Sequence, residues 1–387
     1  MIKDNFTEKK IMISILSLSL LTVMAGAAVA PALDIIREHF RGTDQMLVQM
    51  IISVPALFIV ITSLIFPALC SRFRSRTLLK AGLLMYIAGG CSAGAFSNIF
   101  LVLAARAFVG IAVGILMPLS TGLLAFYFAR DRQEKLMGYS SAMNQMGGAA
   151  ATLMSGFLAG ISWRASFLVY LAGLISLVPC LMFMPDDSIR TEEARKTKGV
   201  LKDNMFFVVS MFVLMFTFFI YPADFAMETV KDGIISQHWI TIIMTMMDLV
   251  ALLGGLAFVH IKNTIGETTR LAAPLLFLAG YLTLEFAGGW AGTIVGSCLV
   301  GFANGAGIPY IISSASRKAG KAAATTVMPL ISAALYLAQF TTPMILSAVR
   351  KAFGNTGIDH LSYCTAIAAS LLLLGISLFW RGREKEG

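Results

Sequence analysis

Hydropathy along this sequence rises twelve times, over residues 11–33, 46–69, 78–97, 99–123, 136–160, 165–184, 205–222, 238–259, 271–287, 290–314, 323–347 and 361–380. A helix that crosses a bilayer needs roughly 20 apolar residues, so these runs are of spanning length. Peptide groups without partners are too costly in hydrocarbon for any spanning form other than a helix or a closed barrel, and the ten-residue alternation of barrel strands is absent. The expectation is an all-α polytopic membrane protein with twelve transmembrane helices. Composition agrees, with 57% hydrophobic and 13% charged residues and a mean hydropathy of +0.80, a balance that excludes an ordinary soluble domain. The longest polar stretch, around Pro185 to Asp203, is about 19 residues and too short to bury a core of its own. Lys3, Lys9 and Lys10 precede the first apolar run as they would in a signal peptide, but that run is long enough to span, and it is read as a retained first helix.

The 30 Lys and Arg outnumber the 21 Asp and Glu, and their distribution explains the excess. Sorted by side, 23 basic residues fall with the amino terminus and the even-numbered helix ends, six fall opposite, and Arg106 lies inside a span. This asymmetry places both termini, the Arg72/Arg74/Arg76/Lys80 loop, the Arg130/Arg132/Lys135 loop and the segment from Arg190 to Lys202 in the cytoplasm, as expected for a multi-pass protein of the inner membrane. The surplus is topological, so nucleic acid is not an expected partner. The five cysteines are scattered in or beside apolar runs without metal-like spacing and read as packing residues. No cofactor, metal site or catalytic residue is expected.

The chain also repeats itself. A shift of 191 residues lays Gly110, Gly114 and Pro118 of the fourth run on Gly301, Gly305 and Pro309 of the tenth, and Pro31-Ala32 on Pro222-Ala223. One offset serving two helix pairs implies parallel halves: a six-helix bundle over 1–187, a cytoplasmic linker over 188–203 and a second six-helix bundle over 204–387. Halves of this kind are an architecture of secondary transporters.

Three local patterns carry a family resemblance: Leu103-Ala-Ala-Arg106-Ala-Phe-Val-Gly110-Ile-Ala-Val-Gly114 in the fourth run, Ala30-Pro31-Ala32-Leu33 ending the first, and Trp163-Arg164-Ala-Ser-Phe167 entering the sixth. The sequence resembles the major facilitator superfamily over essentially its whole length, and within it the twelve-helix drug:proton antiporter-like group. The resemblance implies two pseudo-symmetric bundles, alternating access and a role for Arg106 in proton coupling. Two patterns depart from the group. The loop after the second helix reads Pro67-Ala-Leu-Cys-Ser71-Arg72-Phe-Arg74-Ser-Arg76, with Ser71 where the family has an acid, so Arg72 is left as a gating candidate without its usual motif. The fifth helix has Met146-Gly147-Gly148-Ala149-Ala150 in place of a Gly-Pro pair.

Polar residues inside the spans are the site candidates. An ionised acid at a helix centre costs about 2.5–3.5 kcal/mol on insertion scales, so Asp248, near the middle of the eighth run, must face protein or water. It reads either as a proton-coupling or substrate-binding carboxylate or as a buried structural acid. Arg106 reads either as a coupling residue, with Asp34 at the outer end of the first helix as a plausible partner, or as a packing arginine satisfied by carbonyls. Tyr221, Asp224 and Glu228 share a face at the outer end of the seventh run, in what reads as a broken stretch around Pro222, where both acids are alternatively solvated loop groups. Asp248, Arg106, Asp34 and Asp224 are thus the proton-coupling candidates. Asn144, Gln145, Tyr221, Glu228, Asn304, Tyr336 and Gln339 are the substrate-cavity candidates, with helix-to-helix hydrogen bonding as their plainer role. Pro31, Gly110, Gly114, Pro118, Gly301, Gly305 and Pro309 are expected to serve helix packing and gating.

The functional expectation is a proton-coupled secondary transporter, working as a monomer in the bilayer and exporting lipophilic cationic or neutral small molecules. Proton symport of a small metabolite is the alternative, and a non-transporting receptor or structural role the third. His39-Phe-Arg-Gly-Thr-Asp44 has the His-x4-Asp spacing of glycerolipid acyltransferases, but two fixed positions in an outer loop without a supporting segment do not make an enzyme. No phosphate-binding Gly-x4-Gly-Lys-Ser/Thr loop is present to power a primary pump.

Overall fold

The computed structural model describes residues 5–128, 130–184, 200–231, 233, 235–287, 289–353 and 360–385. The chain divides into two compact units, Met1–Glu193 and Ala194–Gly387. Most of the expected 188–203 linker lies outside the described residues.

The amino-terminal unit holds α1 (Asn5–Ala27), α2 (Leu33–His39), α3 (Gln45–Arg72), α4 (Ser75–Ala93), α5 (Ile99–Tyr127), α6 (Arg130–Ala159) and α7 (Gly173–Phe183). The carboxy-terminal unit holds α8 (Val200–Lys231), α9 (Gln237–Ile265), α10 (Ala272–Phe286), α11 (Gly289–Phe353) and α12 (Leu361–Lys385). Short 3-10 turns link α1 to α2 (Ala30–Ala32) and lead into α7 (Ala165–Ala172) and α10 (Gly266–Leu271). Nine segments among the described residues are long and apolar enough to cross a membrane, and α4, α6 and α10 complete the twelve. Those three fall short for visible reasons: α10 has only 15 residues, and α4 and α6 are rich in Gly and Ser. The outer surface carries Leu64, Phe100, Ile175, Leu256 and Phe379 well exposed, the arrangement lipid contact requires.

Three elements differ from their sequence expectation. The first span is not one helix over 11–33, because α1 stops at Ala27 and a 3-10 turn containing Pro31 precedes α2. Proline lacks the N–H that would continue the ladder. The seventh span is the opposite case. Pro222 was expected to break it, but α8 runs through Pro222 to Lys231, since one lost bond is tolerated when the rest of a long helix is packed. The tenth and eleventh spans share one helical assignment of 65 residues. That element still doubles back: Ser297 meets Tyr221 and Arg350 meets Asp224, only three residues along α8, whereas Ser297 and Arg350 would stand roughly 80 Å apart on a straight helix rising about 1.5 Å per residue.

The internal repeat has a physical counterpart in each unit. In the first, Gly110 and Gly114 of α5 press on α3: a Cβ at Gly110 would lie 2.4 Å from the Pro55 carbonyl oxygen, and one at Gly114 would lie 2.6 Å from Thr62 Cβ. In the second, Gly301 and Gly305 of α11 press on α9, with a Cβ falling 2.3 Å from the Met247 carbonyl oxygen and 1.9 Å from that of Ala251. Backbone touches backbone at these crossings, so a methyl group has nowhere to go. Gly305→Ala is expected to cost about 1–3 kcal/mol through forced helix separation, read as a lowered melting temperature of the purified protein. Gly122→Ala, where nothing lies within 4 Å, should leave it unchanged.

Candidate functional site

Arg106 is fully buried in α5. Its Nε donates to the Ile51 carbonyl at 2.7 Å, one Nη to the Ala25 carbonyl, and the other to the Tyr170 hydroxyl, which itself donates to Ala25 at 2.8 Å. The two carbonyls are not arbitrary acceptors. In α3 the residue four positions after Ile51 is Pro55, which has no N–H to offer it. In α1 the helix ends at Ala27 and no N–H from Val29 reaches Ala25, the last bonds there being Ala28 to Met24 and Ala32 to Val29. Arg106 therefore supplies the donors that two interrupted helices lack, and its charge sits at the negative end of α1. Tyr86 adds a similar bond, to the Leu21 carbonyl at 3.2 Å, and packs edge-on against Tyr170. The Arg106–Asp34 pair is not formed. Asp34 lies in the first turn of α2, half-exposed, beside Arg37 and Glu38.

The acids of the second unit are placed differently from one another. Asp224 is fully buried and is not a loop group; Arg350 at the end of α11 donates to it at 3.1 Å, and the Ser362 hydroxyl of α12 donates as well. One turn further along α8, Glu228 Oε2 lies 3.2 Å from His360 Nδ1. These two acids tie α8 to the ends of α11 and α12. Tyr221, one turn before Asp224, donates to Ser297 at 2.8 Å and stacks on Phe225 with ring centres 4.3 Å apart.

Asp248 occupies the middle of α9, half-buried and within electrostatic reach of Tyr221. Gly301 and Gly305 bring α11 onto the carbonyls of Met247 and Ala251 on either side of it. Asn304, between those glycines, is buried and its Oδ1 has no hydrogen-bond partner. Gln339 is buried and Tyr336 half-buried in the second half of α11. In the first unit Asn144 accepts from Thr22 at 2.5 Å, joining α6 to α1, while Gln145 beside it is half-exposed. Pro31 is buried in its 3-10 turn, Pro118 and Pro309 lie inside continuous helices, and Arg72 is exposed in the last turn of α3.

The residues missed in the sequence are the partners: Tyr170, Ser297, Arg350, His360 and Ser362. Each is ordinary in its local sequence and gains meaning only through a helix remote in the chain. One signal was available, for Ser297 is Arg106 shifted by 191 residues.

The sequence model of the Major Facilitator Superfamily matches residues 15–343. The chain belongs to this superfamily. The methylenomycin A resistance protein of Bacillus subtilis is 30% identical over 129 residues, 32% of this chain and 28% of that protein. YebQ, an uncharacterised transporter of Escherichia coli, is 24% identical over 177 residues, 45% of this chain and 38% of its own. These matches thus span about a third of the length of the curated relatives. Among solved structures, a bacterial homologue of the human lysosomal transporter Spinster superposes with a TM-score of 0.73 at 11% identity, covering 97% of this chain and 96% of that one. A nucleoside transporter gives 0.75 at 12% identity, covering 95% and 99%. A D-xylose–proton symporter gives 0.69 at 15%, covering 95% and 97%. At these identities the likeness is one of fold.

Within this superfamily member, Arg106 can be separated into charge and bonding roles. Arg106→Met orphans the Ile51 acceptor, worth about 1–3 kcal/mol when left unpaired, and leaves Ala25 with the Tyr170 hydroxyl alone, while Arg106→Lys keeps the charge but loses the planar fork. Both variants should melt below the native protein, and whatever transport survives should keep the native pH profile. A profile displaced toward higher pH in Arg106→Met alone would instead show that the guanidinium tunes a nearby acid.

Proposed function

We propose that this transporter is proton-coupled, works by alternating access and exports lipophilic cationic or neutral small molecules, with Asp248 as the carboxylate that takes up and releases the proton. The observation that carries this reading is the placement of Asp248: a carboxylate at mid-span, half-buried, between the two glycine contacts that hold α9 against α11. A carboxylate at that depth is costly when ionised and is neutralised by a single proton. Its partial exposure leaves it open to exchange. Asp224 stands in contrast, buried in a hydrogen-bonded ion pair with Arg350, and in this reading it holds helices together, as Arg106 does.

The buried Asn304 Oδ1 supports a substrate contact nearby, because an acceptor without a partner favours a ligand that brings a donor. One mid-span arginine, Arg106, against the interior acids Asp224 and Asp248 favours cationic or neutral substrates over phosphate esters. Export rests on the local similarity to a resistance protein together with the antiporter-like arginine segment around Arg106.

Asp248→Asn keeps the shape but has no proton to exchange. It is expected to abolish or strongly reduce flux driven by a pH gradient in reconstituted liposomes while leaving the melting temperature close to native. Native flux in this variant would remove Asp248 from the mechanism. Counterflow under defined gradients gives the direction, and substrate moving inward with protons would replace export by symport.

The basic asymmetry supports cytoplasmic termini in an inner membrane. In a cysteine-free background, single cysteines introduced near Arg195 and Lys318 should be labelled only from the cytoplasm, and one near Lys231 only from outside. Reversed labelling would invert the proposed orientation.

A further inference from the structure

One buried cation in the carboxy-terminal unit has no partner. Arg270 ends the 3-10 turn before α10, is only 9% exposed, and has an Nε with nothing to donate to. No hydrogen bond or ion pair of its side chain is formed among the described residues. Beside it opens a narrow cleft between α8, α10, α11 and α12. Among the described residues its polar lining is Arg270, Ser210, Thr269, Tyr310 and Ser377, without a carboxylate. Lys318 Nζ lies 6.0 Å from the ring centre of Phe207, a wall of the cleft, and adds a second positive charge.

The first unit shows what an arginine in this place does when it has a partner. Arg76 stands in the first turn of α4 and Arg270 just before α10, each near the opening of the third span of its half, although the 191-residue offset lays Arg76 on Glu267. Arg76 donates to the Leu181 carbonyl, in the last turn of α7, where helix carbonyls lack internal partners and the dipole is negative. In the second unit the corresponding last helix does not end there. α12 continues to Lys385, so Arg270 faces the side of a helix, at Leu373 and Ser377, whose carbonyls are already used within it. An uncompensated buried charge is expensive, and a counter-charge from outside the chain removes the expense.

We infer that this cleft binds a phosphate-type oxyanion, with Arg270 supplying the charge and a two-pronged N–H fork. Ser210 and Ser377 complete the polar end, and Phe206, Phe207 and Leu214 provide an apolar wall suited to hydrocarbon. The oxyanion has two possible sources, the headgroup of an anionic phospholipid and free inorganic phosphate. The inference is independent of the transport reading above, since the cleft lining includes none of the residues that reading uses.

Thermal unfolding of the full-length protein in a neutral detergent tests it, with dioleoylphosphatidylglycerol, dioleoylglycerol or sodium phosphate added. A ligand that binds only the folded state raises the melting temperature by mass action. Phosphatidylglycerol is expected to raise it by several degrees and dioleoylglycerol, which has the same chains without the phosphate, to leave it unchanged. An equal rise with sodium phosphate would identify the free anion as the source, and no rise with phosphate would identify the lipid. Arg270→Gln should lose at least half of the shift, Arg270→Lys should keep part of it, and Lys80→Gln, which removes an exposed cation, should keep all of it. Without ligand, Arg270→Gln should melt no lower than the native protein, because a buried charge without a partner has been removed. The inference is overturned by an undiminished shift in Arg270→Gln, by an equal shift with dioleoylglycerol, by no shift with either anionic probe, or by an unliganded Arg270→Gln that melts several degrees low.

Discussion

A carbonyl that loses its helical partner inside a membrane has no water to turn to, and the first half of this protein is arranged around that constraint. Proline at 55 and the end of α1 at Ala27 each leave an acceptor unfilled, and one guanidinium fills both. Because the donors come from α5 and the supporting hydroxyl from Tyr170, four spans are fixed relative to one another by bonds that no apolar side chain can replace. A carboxylate is unnecessary there. Peptide dipoles supply the negative potential, and the cation is held where a salt bridge would otherwise be expected.

The second half repeats the frame with other contents. Its glycine contacts mirror those of the first half, but the position matching Arg106 is Ser297, which receives the Tyr221 hydroxyl. Charge enters instead through acids. Asp224 and Glu228 are engaged by Arg350 and His360 at the helix ends, and Asp248 sits in the middle of α9. The charges at the helix ends are paired across helices, whereas the acid at mid-span is half-buried.

Much of the frame was legible in the sequence because it is written in short-range pattern. Apolar run lengths gave the spans, and the 191-residue offset pointed to glycines that do meet backbone in both halves. What escaped reading depends on distance along the chain. Tyr170 and Ile51 lie 64 and 55 residues from Arg106, and no local pattern marks them as its partners, so Arg106 read equally well as the partner of Asp34. Proline was ambiguous for a related reason. Pro31 ends a helix and Pro222 does not, since the outcome is set by how the neighbouring turns are packed. Arg270 carries no local sign of the cleft beside it, whose walls come from α8, α11 and α12 as well as from its own surroundings.

The repeat frame also limits how the two halves can be exchanged. The residue 191 before Asp248 is Leu57, and the residue 191 before Asp224 is Leu33. A chain assembled from two copies of the first half would thus possess two guanidinium knots and no acid at either place. Two copies of the second would carry the acids twice over and need no such donor, since α8 runs unbroken through Pro222 and α9 holds no proline. One glycine frame thus holds two kinds of buried polar group: a guanidinium set on carbonyls in the first half, and carboxylates in the second.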